Sequence, residues 1–354
     1  AYEIGVRLVG SEMGIRDRGE TVLRSKPVIG YLHTGMEKTS EDLTYLQGPT
    51  NVTHMDYAAP LFSELAFSLA VENLLDLEVP PRATWIRMLM CELNRASSHL
   101  LFQATNGMDL GAVSMMIYGW REREEVLRFF EKVTGLRMNH NYIRPGGVAA
   151  DLPEGWQADV RRLLNLIPPR LDEYDTLLTG QPIFRERLQG VGVMNPAEAL
   201  ALSATGPILR STGYAWDLRR DEPYLAYDQV AFDVVVGTHG DAYDRYAIRL
   251  QEIRESLKII EQCVDQIEPG PVRATMAMLF RPPPGEAYVP IEAPKGELGF
   301  YLVSDGSIAP YRMHIRAPSL INLTLMKKML VGWKLADAIV TFGSIDVNMG
   351  EVDR

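Results

Sequence analysis

The sequence predicts an α+β fold in which a central helical bundle is flanked by small antiparallel β units. Three observations predict it: loose apolar alternation near the start of the chain, long helical apolar patterns in the middle, and short strand patterns near the end. We expect four segments along the chain: residues 1–18, a leader; 19–58, an N-terminal β region; 59–270, the helical bundle; and 271–354, a β unit, a helix and a tail.

The first elements follow from local patterns in chain order. Alternation around Val22 and Val28 predicts short strands within residues 20–32. Leucines recur along one face of residues 60–77, and the prolines after them prevent that helix from continuing. Residues 81–104 are apolar on nearly every side, which is typical of a helix inside a bundle.

The later elements are predicted in the same way. Helical patterns cover residues 112–136, 155–178 and 242–267. Strand patterns then cover residues 288–291, 296–303 and 311–315, with a turn at Ser304-Asp305-Gly306. A final helix is predicted over residues 319–341, followed by a polar tail.

Composition excludes several classes of protein. A formal net charge of −10 and the lack of Lys/Arg runs argue against a nucleic-acid binder. No stretch of about 18 uncharged apolar residues is present, so we expect no membrane-spanning helix. Cys91 and Cys263 form no C-x-x-C pair, so the chain alone cannot supply a four-thiolate metal or iron–sulfur site, and both are interpreted as buried, reduced thiols.

Motifs of self-contained enzymes are also missing. There is no G-x-G-x-x-G or P-loop, no ligand spacing joins the six histidines, and no nucleophile-elbow motif is present. Taken alone, these residues indicate no self-contained enzyme.

Polar residues next to apolar runs are the candidates that remain. Tyr57 follows Asp56 just before a predicted buried helix, and Asp109 follows the most apolar helix. Tyr57 could instead be a core tyrosine with its hydroxyl bonded, and Asp109 a helix-end residue satisfied by backbone donors. If both face one apolar cavity, they suit a quinone head group, since a phenol can donate to a carbonyl oxygen and an acid can supply a proton. Arg144 follows the polar stretch Asn139-His140-Asn141 and directly precedes Pro145. It is therefore predicted to lie on a rigid loop.

Several motifs, in order, resemble one family. They are Gly30-Tyr31-Leu32-His33-Thr34-Gly35, Asp56-Tyr57, Tyr142–Val148, Thr205-Gly206-Pro207, Gly296-Glu297-Leu298-Gly299 and the ending Gly350-Glu351-Val352-Asp353-Arg354. From about residue 19 onward the chain resembles the large hydrophilic quinone-site subunit of respiratory complex I, the D-type subunit of bacterial NADH-quinone oxidoreductase. That family shares its fold with the large subunits of nickel–iron hydrogenases, whose two C-x-x-C pairs are lacking here. The resemblance therefore implies quinone chemistry rather than hydrogen chemistry.

The resemblance assigns roles to individual residues. It implies that Tyr57 hydrogen-bonds the quinone head group, with Met108 beside it, and that Asp109 is the acid paired with a histidine of an N-terminal hairpin. No matching histidine precedes residue 19, and residues 1–18 look like translated adapter sequence, so we expect a non-native leader.

Other residues are expected beside the terminal iron–sulfur cluster of a neighbouring subunit. They are Thr34, Asn139, His140 and Arg144. Many relatives have arginine at the position of Thr34 and histidine at that of Asn139. Loss of a cation and of an imidazole predicts a cluster of lower potential with little pH dependence, which suits menaquinone, unless His140 substitutes.

The resemblance also implies an assembly. The expected partners are the cluster-bearing small subunit, the C-type partner subunit and the membrane subunit that forms the quinone channel, at the cytoplasmic face of the bacterial cell membrane. Two alternatives stay open at this point: a hydrogenase-fold scaffold in a membrane complex with another electron donor, and a helical binding module for a small apolar ligand.

Overall fold

A three-stranded antiparallel sheet forms the first part of the computed structural model, which describes residues 2–8 and 11–354, with side chains from residue 14 onward. Its strands are β1 (Tyr2–Leu8), β2 (Ser11–Arg18) and β3 (Thr21–Val28), in the order β1-β2-β3. Ile15 and Val22 are fully buried against the C-terminal helices. The segment predicted to be a leader, residues 1–18, thus contributes two strands to this sheet. That this segment is non-native stays a prediction.

Five long helices form the centre of the described chain: α3 (Pro60–Leu75), α4 (Pro81–Asp109), α5 (Ser114–Thr134), α6 (Trp156–Tyr174) and α11 (Ala242–Gln266). α4 packs against both α5 and α11 and is buried along most of its 29 residues. It extends five residues beyond the predicted end at residue 104, because no proline or positive-φ residue interrupts it before Asp109. α6 passes through two internal prolines and continues into a π-helical turn, Asp175–Thr179.

Short helices connect these elements. They are α1 (Met36–Asp42), α2 (Gly48–Val52), α7 (Pro182–Leu188), α8 (Pro196–Ala201), α9 (Gly206–Ser211), α10 (Leu218–Asp221) and a 3₁₀ turn, Tyr227–Gln229. Between α5 and α6, the two-residue strands β4 (Ile143–Arg144) and β5 (Gly147–Val148) pair across the turn at Pro145-Gly146. Several of the short helices begin with proline at the first or second position, where its missing N–H costs nothing.

The C-terminal sheet is antiparallel and contains β6 (Gly285–Ala293), β7 (Gly296–Ser304) and β8 (Arg312–Arg316). These strands confirm the three predicted ones: β6 and β7 are longer than predicted, and β8 is shifted by one residue. β6 and β7 pack on α3, so the sheet closes one side of the helical centre. The predicted α+β class, helical with small antiparallel sheets, is confirmed.

The predicted single helix over residues 319–341 is wrong. Three helices occupy this region: α12 (Pro318–Thr324), α13 (Met326–Met329) and α14 (Leu335–Ile345), and α15 (Met349–Asp353) follows. The break between α13 and α14 arises because Gly332 has φ +89° and its backbone pairs with β3 instead. Gly332 N donates to Val22 O at 2.9 Å, and Val22 N donates to Trp333 O at 2.8 Å.

Candidate functional site

Tyr57 lies on the turn between α2 and α3, where Ala58 N donates to Asp56 Oδ1 at 3.1 Å. The tyrosine is 44% exposed, and its hydroxyl makes no hydrogen bond to any described residue. The alternative of a core tyrosine with a bonded hydroxyl is therefore wrong. Partial burial raises the pKa of Tyr57, and the neighbouring Asp56 carboxylate raises it further, so the phenol stays protonated and can donate at neutral pH.

A buried ion pair fixes the backbone beneath Tyr57. Lys295 Nζ lies 2.9 Å from Asp56 Oδ2, and both side chains are almost fully buried. Asn348 donates to the other oxygen, Asp56 Oδ1, at 2.7 Å. Burial alone would lower the pKa of Lys295, but the attraction of Asp56 outweighs it and raises that pKa.

A buried carboxyl group, Glu351, and a half-buried one, Asp346, lie close to this pair. Burial raises the pKa of Glu351 to about 8, with repulsion from Asp56 as the next cause, and Ser319 N donates to Glu351 Oε2 at 3.1 Å. Burial also raises the pKa of Asp346, although Lys295 opposes this effect. The region behind Tyr57 therefore contains a carboxyl group that holds a proton at neutral pH.

Met108 and Asp109 form the exposed end of α4. Met108 is 40% exposed, and the Asp109 carboxyl group accepts no hydrogen bond from a described residue. Asp109 does end a helix, as one alternative supposed, but backbone donors do not satisfy it. Burial raises its pKa, and a position at a helix C-terminus also disfavours a negative charge.

The segment from Gly343 to Gly350 contacts both predicted quinone residues. A Cβ at Gly343 would lie 3.1 Å from Asp109 Oδ2, and a Cβ at Gly350 would lie 3.5 Å from Tyr57 Cδ1. No hydrogen bond joins Tyr57 to Asp109. The structure thus brings the two residues to one segment without joining them directly.

Thr34 is exposed, on a loop that the end of the chain holds in place. Gly30 N and Leu32 N donate to the two carboxylate oxygens of Asp353 at 2.8 and 2.7 Å. A cavity of about 360 Å³ lies between this loop and the C-terminus. Its lining includes Ile29, His33, Glu37, Arg312, Val352 and Arg354. Neither Tyr57 nor Asp109 lines it, so the expected shared cavity is not this one.

The loop of residues 139–147 contains the other candidates. Asn139 is half-buried with φ +53°, a left-handed conformation that asparagine tolerates. His140 is buried edge-on to Phe130, with Nδ1 3.1 Å from Leu136 O, and burial lowers its pKa to about 4. Arg144 is half-buried, and its Nε donates to Asn141 O at 3.0 Å.

Sequence reasoning missed Lys295, Asp346 and Glu64. Each is a charged residue whose immediate neighbours in sequence are uncharged. That pattern could have suggested a buried charge with a partner, because charged residues are seldom buried alone. The partners lie far away in sequence, so spacing could not identify them.

Neither a metal-ligand cluster nor a membrane-spanning helix occurs among the described residues. No group of three or more His, Cys, Asp or Glu residues there could hold a metal ion. Within the same part of the chain, every helix is too short or too polar to cross a bilayer.

The fold and the site together define a mainly helical α+β subunit with an exposed phenol beside buried charged groups and an exposed carboxyl group at the end of α4. The family described as "Respiratory-chain NADH dehydrogenase, 49 Kd subunit" matches residues 109–282 and 275–354, and the chain belongs to this family. The resemblance seen in the sequence is therefore confirmed.

Named relatives agree with the family. The chain is 49% identical to a D-type subunit of NADH-quinone oxidoreductase from Salinispora arenicola, and 48% identical to the D-type subunit from Acidothermus cellulolyticus, over 95% of this chain and 86% of each relative. It is 45% identical to the D-type subunit from Saccharopolyspora erythraea, over 95% of this chain and 84% of the relative.

Proposed function

We propose that this chain is the quinone-site subunit of a proton-translocating NADH-quinone oxidoreductase and is not active alone. The observation that carries the proposal is the exposed Tyr57 hydroxyl, which has no partner among the described residues and lies beside buried acids. The names of the relatives support the same assembly.

The residues suggest a division of roles at the quinone. Tyr57 would donate its hydroxyl proton in a hydrogen bond to a quinone carbonyl oxygen, and Met108 would offer an apolar contact to the ring. Asp109, whose pKa is raised by burial, would hold or relay a proton for the reduced quinone. Lys295 and Asp56 would keep Tyr57 in place through their buried ion pair.

The iron–sulfur cluster of a neighbouring subunit would supply the electrons that reduce the quinone. Thr34, Asn139, His140 and Arg144 are proposed to lie towards that subunit. A neutral His140, with its ring nitrogen bonded to Leu136 O, is poorly suited to take up a proton. We therefore retain the hypothesis of a low-potential cluster with little pH dependence from histidine, and of menaquinone as the substrate.

The proposal includes an assembly. Its partners are the cluster-bearing small subunit, a C-type partner subunit and the membrane subunit of the quinone channel. The proposed location is the cytoplasmic face of the bacterial membrane, with peripheral attachment.

Quinone-reductase kinetics of the assembled complex with Tyr57→Phe test the proposal. Loss of one hydrogen bond of about 0.5–1.5 kcal/mol should raise KM for a short-chain quinone by roughly 2- to 12-fold. Tyr311→Phe is the matched control, since Tyr311 is 69% exposed, directly precedes β8 and contacts neither Tyr57 nor Asp109. Asp109→Asn should instead lower kcat. A Tyr57→Phe complex with the quinone KM of the control would refute the assignment.

A further inference from the structure

One buried carboxylate of α3, that of Glu64, accepts hydrogen bonds from the backbone of the 139–147 loop. Thr53 Oγ1 and Asn141 N donate to Glu64 Oε1, both at 2.6 Å, while Tyr142 N and Ile143 N donate to Oε2 at 2.8 and 2.9 Å. Glu64 is fully buried. Four donors thus use both oxygens, which fits an ionised carboxylate, because a protonated one would point its own O–H at a donor.

A second carboxylate of α3 holds the other end of the loop. Glu72 accepts from Gly146 N at 2.7 Å and pairs with Arg87 at 2.5 Å. Arg87 in turn donates to the carbonyl oxygens of Arg144 and Gly147 at 2.8 and 3.0 Å. Residues 64 and 72 lie about 12 Å apart along the helix, so the loop is fixed near both ends.

The outer side of the loop pairs with the extended segment 272–274. Val148 N donates to Val272 O at 3.0 Å, and Ala274 N donates to Gly146 O at 2.8 Å. Neither Arg144 nor the nearby Arg273 forms an ion pair with any described residue. On a chain of net charge −10, the loop therefore presents a positive site whose guanidinium groups form no salt bridge within the described residues.

We propose that Glu64 is the positioning residue of this loop: by fixing the three consecutive N–H groups before Arg144, it sets where the Arg144 guanidinium is presented to the neighbouring subunit. The inference rests on the proposed function for the direction in which the loop faces. The hydrogen bonds that carry it lie within this chain.

The protonation state of Glu64 bears on the same contacts. Burial raises the pKa of Glu64 to about 7, against the lowering effect of its hydrogen bonds, so both states occur near neutral pH. The groups that face it do not titrate there. Arg144 remains charged, burial raises the pKa of the Cys91 thiol well above its usual range, and His140 is neutral above pH 5.

Hydrogen exchange and EPR of the assembled complex test the inference. In Glu64→Gln, the amide Nε2 cannot accept, and each Glu64 oxygen accepts from at least one loop N–H. Peptides covering residues 139–148 should therefore exchange at least about fivefold faster, the factor for one lost hydrogen bond of about 1 kcal/mol. The EPR spectrum or midpoint potential of the neighbouring cluster should shift in the same direction as in Arg144→Gln. Glu122→Gln is the matched control, because Glu122 is equally buried but accepts from Tyr174 and Arg121 rather than from the loop.

Each outcome decides the question. Unchanged loop exchange in Glu64→Gln overturns the inference, as does faster exchange with an unmoved cluster signal while Arg144→Gln moves it. An unmoved signal in both variants overturns it together with the proposed direction of the loop, whereas a failure of the proposed quinone site is seen separately in the Tyr57→Phe kinetics.

If the Glu64→Gln complex does not assemble, hydrogen exchange of the wild-type complex at different pH values tests the inference instead. Loop protection, corrected for intrinsic exchange, should rise about fivefold between pH 5.5 and 8.5 as Glu64 ionises. Flat protection over that range overturns the inference.

Discussion

Lys295→Met removes the only cation that pairs with the Asp56 carboxylate among the described residues. At 2.9 Å and an effective dielectric constant of 20, the attraction is about 6 kcal/mol before desolvation is counted. Removing one partner of a buried pair usually costs about 3–5 kcal/mol, since the other charge stays buried. The remaining donors, Asn348 and the Ala58 N–H, cannot replace an ammonium group. The turn that carries Tyr57 should therefore open more often.

Hydrogen exchange of the peptide covering residues 53–60, in the assembled complex, measures this local opening. A loss of about 3 kcal/mol corresponds to exchange faster by roughly 100-fold, and the quinone KM should rise with it. Lys327→Met is the matched control, because Lys327 is exposed on α13 and forms no ion pair with a described residue. Exchange equal to that of the control would refute the role given to Lys295.

Two further predictions concern the loop of residues 139–147. Gly147→Ala should loosen it by more than about 2 kcal/mol, since the new Cβ would lie 2.2 Å from Val272 O at φ +152°. Gly135→Ala, where φ is +81° but no atom is near, should cost about 1 kcal/mol, and loop exchange rates compare the two. His140 has a folded pKa of about 4, below its ordinary 6.5, so its contribution to stability is full above pH 6.5 and falls by about 3 kcal/mol as pH drops to 4. Acid-induced exchange near residues 134–142 checks this, and an equal response in His140→Phe would contradict it.

Local pattern was sufficient for most of the fold. α3, α4 and α11 are long and strongly patterned, so their existence followed from apolar spacing, helped in α3 and α4 by the proline that begins each helix. The region of residues 319–341 could not be predicted, because its interruption depends on a backbone pairing with Val22 in β3, some 300 residues earlier. Such long-range pairing leaves no periodic signal nearby.

For the candidate site too, local features could be predicted from the sequence and long-range contacts could not. Tyr57 and Asp109 were predicted because each lies next to an apolar run, which is a local feature. Their surroundings were not, since the ion pair of Asp56 with Lys295 spans most of the chain. The loop at Arg144 was predicted to be rigid from Pro145 and two glycines, but its rigidity comes from Glu64 and Glu72 as well.

The polar residues at the end of the chain connect two parts of the proposed site. Asn348 donates to Asp56, Glu351 accepts from Ser319 N, and Asp353 accepts from the loop next to Thr34. One short segment therefore fixes both the turn of Tyr57 and the loop of Thr34, two features proposed to face the quinone and the cluster. A change at Asn348 or Glu351 removes a partner of the buried Asp56 carboxylate or of the buried Ser319 N–H, and a change at Asp353 releases the exposed loop beside Thr34. The C-terminal segment is therefore part of the proposed site rather than a tail.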